Sequence, residues 1–99
     1  MDNELTVVDA KEQNRYEARD ANGGLMGFVD YRRTEGLITF LHAETLPEYQ
    51  GHGVAGRIAS QSLDEARQAG LQVRPACPYY QQYLEKHPEY ADLVAEAGR

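Results

Sequence analysis

Gln50-Gly51-His52-Gly53-Val54-Ala55 sets two glycines and an alanine around the start of an apolar run. An anion with several oxygens is held best by consecutive backbone N–H groups at a helix N-terminus, with no side chains in the way. Gly51, Gly53 and Ala55 supply that clearance. A second kind of chemistry sits at His42 and Glu44, two residues apart, where either side chain can take a proton directly or through water. A third sits at Cys77, which immediately precedes Pro78 and so falls at the N-cap of a helix, where the positive dipole end favours an anionic sulfur. Tyr79, Tyr80 and Tyr83 crowd the turns that follow. Each feature also has a plainer reading. The loop can be a bare helix start, Glu44 a solvated charge and His42 a satisfied core residue. Cys77 can be a buried small hydrophobe and the tyrosines aromatic packing.

Gly51-His52-Gly53-Val54-Ala55-Gly56 also satisfies the G-x-G-x-x-G pattern of dinucleotide sites. That fingerprint needs a tight strand-to-helix turn in a parallel unit and an acidic residue about 20 positions on. Here a loop containing Pro47 separates the strand from the helix, the next strand ends in Val73-Arg74, and the preceding strands read as hairpins. The missing Lys-Ser/Thr pair argues against a nucleoside triphosphatase loop.

The elements that must position these groups can be read from periodicity and turn chemistry. Leu5 to Asp9 and Arg15 to Asp20 are short candidate strands. Asn22-Gly23-Gly24 is a turn signal, because Asn and Gly accept positive φ cheaply. Leu25 to Arg33 follows as a strand, with Leu25, Val29 and Tyr31 on one face and Met26 and Phe28 on the other. Glu35-Gly36 turns the chain into Leu37 to Ala43, whose faces separate as Leu37, Thr39, Leu41 and Ile38, Phe40, His42. If this strand continues, Glu44 shares the His42 face. From Gly53 the spacing becomes helical through Val54, Ile58, Leu63 and Ala66 until Gly70, which suits a left-handed C-terminal cap. Leu71-Gln72-Val73 resumes as a strand. Pro78 to Lys86 and Pro88 to Ala97 read as two short helices, each opened by a proline.

At 99 residues the chain is sized for one compact core and has no room for separate cofactor and substrate domains. Hydrophobic residues make up 41% and charged residues 26%, well mixed along the chain, as in a globular protein. Sixteen acidic against ten basic residues give a net charge of −6, which argues against a nucleic-acid face; it would steer cationic or amine partners favourably, while its plainer reading is solubility alone. No apolar run approaches a membrane span, and Met1-Asp2-Asn3-Glu4 has neither the basic start nor the apolar stretch of a signal peptide. A cytoplasmic protein is expected. Cys77 is the only cysteine and His42, His52 and His87 show no ligand spacing, so neither an internal disulfide nor a metal site is expected.

Thr45-Leu46-Pro47-Glu48-Tyr49-Gln50-Gly51-His52-Gly53-Val54-Ala55 resembles the pyrophosphate-binding segment of the GCN5-related N-acetyltransferases, with Gln50, Gly53 and Ala55 at its three defining positions. The resemblance extends through His42-Ala43-Glu44, Pro75-Ala76-Cys77, Pro78-Tyr79-Tyr80 and His87-Pro88-Glu89-Tyr90 to the compact, single-core branch of that family. It covers the chain from about Leu25 to Val94. The resemblance implies an α+β acyl-CoA N-acyltransferase fold: a twisted, mainly antiparallel sheet of about five strands with one main helix and two short C-terminal helices. Acyl-CoA would enter a splay between the strand ending near Thr45 and the strand Leu71 to Arg74. Larger relatives place two helices after their first strand, and this chain has no room for them.

The implied cofactor is acetyl-CoA, held by Thr45, Leu46, Gln50, Gly51, His52, Gly53, Val54, Ala55 and Tyr83. The implied reaction is direct acetyl transfer to an amine, either a small molecule or a protein lysine. Such transfer needs a neutral amine, a stabilised oxyanion and a proton for the leaving thiolate. Candidates are His42 or Glu44 as base, and Cys77 near the acyl group as contact or nucleophile. In this family a tyrosine of the Cys-Pro helix often protonates the sulfur. Tyr80 is the first choice for that role because it lies three residues after Cys77, and Tyr83 is the second. Two other readings stay open, a non-catalytic acyl-CoA-binding module and self-acylation on Cys77.

Overall fold

The computed structural model describes residues 5–95. The leader-free reading of Met1–Glu4 and the expected helix end at residues 96 and 97 lie outside them. Five strands form one sheet in sequence order: β1 (Thr6–Ala10), β2 (Arg15–Arg19), β3 (Leu25–Thr34), β4 (Leu37–Thr45) and β5 (Gln72–Pro75). The first four are joined by hairpins and pair antiparallel, while β5 returns after a helix and pairs parallel to β4. Such a return needs a crossover of a dozen residues or more, which the intervening helix supplies.

That helix, α1 (Val54–Gln68), lies across one face of the sheet. Val54, Ile58, Ala59, Ser62, Leu63 and Ala66 are its buried stripe, spaced to meet the inward side chains Tyr16, Ala18, Val29, Tyr31, Ile38 and Phe40. Burying a side chain such as Ile58 or Leu63 is worth roughly 1.5–3 kcal/mol, so this stripe fixes the helix against the sheet. The helix ends in a Schellman cap: Leu71 N–H reaches Ala66 O at 2.9 Å and Gly70 N–H reaches Arg67 O at 3.2 Å, with Gly70 at φ +73°. This is the stop that Gly70 announces in the sequence.

The second helix, α2 (Pro78–Lys86), starts on the expected proline with Cys77 as its N-cap. The last segment differs from expectation. Pro88–Leu93 is a 3-10 helix, after which Val94 forms a parallel bridge with Val73 and Ala95 N–H donates to Val73 O at 2.8 Å. Pairing with the edge of β5 satisfies backbone groups that a longer helix would have left facing an open strand. Among the described residues, no helix is long and apolar enough to cross a membrane.

Candidate active site

The parallel pairing of β4 and β5 runs only from Leu37↔Gln72 to Phe40↔Pro75. Ala76 N–H makes one more bond, to Phe40 O at 3.0 Å, and the chain then turns away into α2. Beyond that point β4 continues to Thr45 without β5 beside it. A cleft of about 370 Å³ opens there, lined by Ala43, Thr45, Tyr49, Gln50, Gly51, Gly53, Val54, Ala55, Gly56 and Tyr79.

One wall of the cleft is the N-terminus of α1. Gly53 is the N-cap, at φ +75°, and no side chain caps the helix. The first intrahelical bond is Arg57 N–H to Gly53 O at 3.0 Å, which leaves the N–H groups of Val54, Ala55 and Gly56 with no partner inside the helix. Its first turn carries no acidic residue. These are the conditions for holding an anion by backbone dipoles. Gly51 and Gly53 are needed for their positive φ, +86° and +75°, since a Cβ at either would meet nothing within 4 Å.

The opposite wall is the free stretch of β4. Leu46 N–H donates to Met26 O at 2.9 Å across β3. Strand alternation therefore turns the backbone groups of Glu44 toward β3 and those of Ala43 and Thr45 toward the side that β5 has left. Thr45 O receives the Gln50 side chain at 3.4 Å, and Thr45 and Gln50 thereby meet across the cleft mouth.

The structure corrects the face assigned to His42. A β-bulge interrupts β3–β4 pairing, so that Tyr31 faces Phe40 and Asp30 faces His42, with Leu41 unpaired between them. Leu41 and His42 both turn to the outer sheet face, and the expected Ile38-Phe40-His42 stripe ends at Phe40. His42 stands 3.1 Å from Glu44 (Nε2 to Oε1), with side chains 58% and 52% exposed. Around them on the same face are the Phe28 ring, 6.1 Å from the imidazole, and Arg15, whose guanidinium lies 3.9 Å over Phe28 and 3.4 Å from Asp30. The pair thus stands on the other face of β4 from the cleft-lining Ala43 and Thr45.

Tyr80 is a core residue. It is fully buried, its ring stacks on Phe40 at 4.2 Å and 12°, and its hydroxyl shares a 2.8 Å hydrogen bond with Ser62. Burial pushes its phenol well above the ordinary range. It is withdrawn from the site because β4 and α1 enclose it. Tyr83 turns the other way, stacking on His87 at 3.9 Å, and it does not line the cleft. The tyrosine in the cleft is Tyr79, whose hydroxyl lies 3.5 Å from where a Cβ of Gly56 would stand. Desolvation raises its pKa, with a further rise from nearby Tyr83. A three-residue offset from Cys77 favoured Tyr80, but Cys77 itself points inward at 3% exposure, so the same offset selects the buried side of α2. The thiol is buried and does not line the cleft.

Leu46 and His52 bound the loop without lining the cleft. Leu46 is tied to β3, and His52 N–H bonds Tyr49 O at 3.2 Å. Residues absent from the sequence reading are Ala43, Tyr49, Gly56 and Tyr79 as lining groups. Ala43, Tyr49 and Gly56 fall inside the quoted motifs, but nothing local assigns Tyr49 a role. Among the described residues, no group of His, Cys, Asp and Glu could hold a metal ion.

Comparison with known proteins agrees with this architecture. No curated protein matches the chain. The NMR solution structure of a GCN5-like protein from Staphylococcus aureus is 21% identical with a TM-score of 0.70, covering 99% of this chain and 97% of its own. Spermidine/spermine N-acetyltransferase SpeG from Vibrio cholerae is 19% identical at a TM-score of 0.54, over 83% of this chain and 52% of that one. AAC(6')-Iy, solved with the bisubstrate analogue CoA-S-monomethyl-acetylneamine, is 18% identical at a TM-score of 0.51, over 86% of this chain and 63% of that one. The chain thus spans nearly all of the first and between half and two thirds of the two larger enzymes. The family model described as GCN5-related N-acetyl-transferase matches residues 15–93, so the chain belongs to the GCN5-related N-acetyltransferases, a family of transferases.

Proposed function

We propose that this protein is an acetyl-CoA-dependent N-acetyltransferase of the cytoplasm, acting by direct attack of an amine in a ternary complex. The observation that carries the reading is the uncapped N-terminus of α1 facing the gap between β4 and β5. Acetyl-CoA supplies the activated acetyl thioester. The N–H groups of Val54, Ala55 and Gly56, with the left-handed glycines before them, bind its pyrophosphate. Thr45 and Gln50 close the mouth of the cleft. Ala43 N–H, freed on the open edge of β4, donates to negative charge developing on the acyl oxygen. Glu44, steadied by His42 at 3.1 Å, takes the proton of an amine arriving over the outer sheet face. The Tyr79 hydroxyl, kept protonated by partial burial, returns a proton to the departing thiolate. All these groups belong to one domain built on one core.

Incubation with acetyl-CoA and a broad panel of amines and peptides should release CoA above the no-acceptor blank, and release equal to the blank would remove the transferase reading. A second reading, an acyl-CoA-binding module without turnover, is favoured by the exposure of His42 and Glu44 on an open face. Titration with CoA followed by backbone amide shifts separates the two. Perturbation of Gly51 to Ala55 without acetyl transfer supports the module, and no perturbation sinks both readings.

A further inference from the structure

Tyr49 is held at both ends. Its carbonyl accepts the His52 N–H at 3.2 Å, closing the turn that leads into the glycine loop. Its hydroxyl donates to Asp20 Oδ2 at 2.9 Å, 29 residues away in sequence. Asp20 sits in the turn between β2 and β3, which contributes nothing to the cleft lining, whereas Tyr49 does. The other Asp20 oxygen accepts N–H bonds from Asn22 at 2.9 Å and Gly24 at 2.8 Å, so both carboxylate oxygens are committed to donors. The turn itself is firm, since Arg19 Nη1 donates to Gly23 O at 2.8 Å and Asp20 N–H donates to Gly24 O at 2.9 Å. Gly24 gives an independent sign of the same arrangement. A Cβ there would stand 2.9 Å from Asp20 Oδ2 and 3.3 Å from Oδ1, so the glycine leaves open the space that the carboxylate occupies.

We propose that Asp20 is a positioning residue for the cofactor loop, acting through the Tyr49 hydroxyl. The tether fixes the 3-10 turn Pro47–Tyr49 against the β2–β3 hairpin and so sets where the chain enters Gln50 to Gly53. A loop held in its binding geometry in advance loses less freedom when the anion docks, and affinity rises accordingly. The ligand named here rests on the acyl-CoA reading, but the tether does not.

Two variants break the tether and spare its surroundings. Tyr49→Phe keeps the ring that lines the cleft. Asp20→Ser keeps an oxygen for the turn amides but is too short to reach Tyr49. Amide hydrogen exchange in the ligand-free proteins should speed up at Gln50 and His52, whose N–H groups bond within this turn, and by the same factor in both variants and in the double variant. CoA affinity should fall about 3- to 10-fold in each single variant, the scale of one ordinary hydrogen bond, with no further loss in the double. In Asp20→Ser, which alters no cleft-lining residue, KM for acetyl-CoA should rise while kcat at saturation stays unchanged. Unaltered exchange in Tyr49→Phe overturns the proposal, as do losses in the double variant equal to the product of the two singles. If the wild-type chain fails to bind CoA, the acyl-CoA reading falls, and the exchange comparison still decides the tether.

Discussion

Tyr80 and Ser62 join their hydroxyls at 2.8 Å beneath the ring of Phe40, while the neighbouring Tyr79 faces the cleft from the same helix. One residue along α2 therefore separates a packing tyrosine from a site tyrosine. Tyr80→Phe should cost about 1 kcal/mol of stability, because Ser62 keeps its bond to Ala59 O at 3.0 Å, and should leave turnover unchanged. Tyr79→Phe should do the reverse, lowering kcat about 10²-fold, the low end of proton-transfer effects, with an unchanged urea midpoint. Equilibrium unfolding and steady-state kinetics on both variants check the assignment, and loss of turnover in Tyr80→Phe alone would contradict it.

Much of the sheet was legible because its turns are chemically marked. Asn22-Gly23-Gly24 and Glu35-Gly36 bound the strands that the structure contains, and Pro78 and Gly70 fix helix ends to within a residue or two. The glycine loop was legible for the same reason, since positive φ leaves glycine as its signature. The bulge was not. One unpaired residue at Leu41 changes the face of His42 without changing any local propensity, because register is decided by the partner strand. Tyr49 was equally hidden, as its role comes from Asp20 in a distant hairpin.

Gly27 marks where β3 passes closest to the site. A Cβ there would stand 2.8 Å from Glu44 O, 3.0 Å from Val54 Cγ1 and 3.3 Å from Thr45 Cα. Two of the three are backbone atoms and do not give way cheaply. Gly27→Ala should destabilise by about 1–3 kcal/mol, the usual cost of overpacking. Because Val54 and Thr45 both line the cleft, CoA binding should weaken in parallel. Thermal unfolding and CoA titration measure the two effects, and an unchanged midpoint would show that β3 and β4 separate freely.

Glu44→Gln keeps the size of the side chain and removes its basicity. Turnover should fall about 10²-fold at neutral pH, the low end for loss of a general base, with little change in CoA affinity because the cleft lies on the other face of β4. His42→Ala should have a smaller effect of the same kind. Turnover equal to the wild type in Glu44→Gln would remove the carboxylate from the reaction.

Stability should decline in acid through two carboxylates. Asp20 is held below its ordinary pKa first by the Gly24 amide, then by the Tyr49 hydroxyl, and Asp92 first by its hydrogen bond from Arg67. Both values are depressed in the folded state, so the contribution is complete above the unfolded carboxylate pKa of about 4 and is lost as pH falls through the folded values. Urea unfolding at pH 6 and at a series of pH values below 4 should show the decline. The Asp20→Ser and Asp92→Asn variants should each show a shallower one, and a slope equal to the wild type in both would place the acid sensitivity elsewhere.

The unpaired residue at Leu41 divides β4 into two half-strands that run out of phase. In the first, even-numbered positions are bound to the core, and Ile38 and Phe40 admit only what α1 and Tyr80 allow. In the second, the same parity carries His42 and Glu44 to the outer face, where each is about half exposed and their near neighbours are each other and the Phe28 ring. Under the proposed mechanism, the side chains that would face an incoming amine are thereby uncoupled from those that hold the sheet together. On that reading, acceptor preference would drift by substitution at the second half while the first preserves the fold.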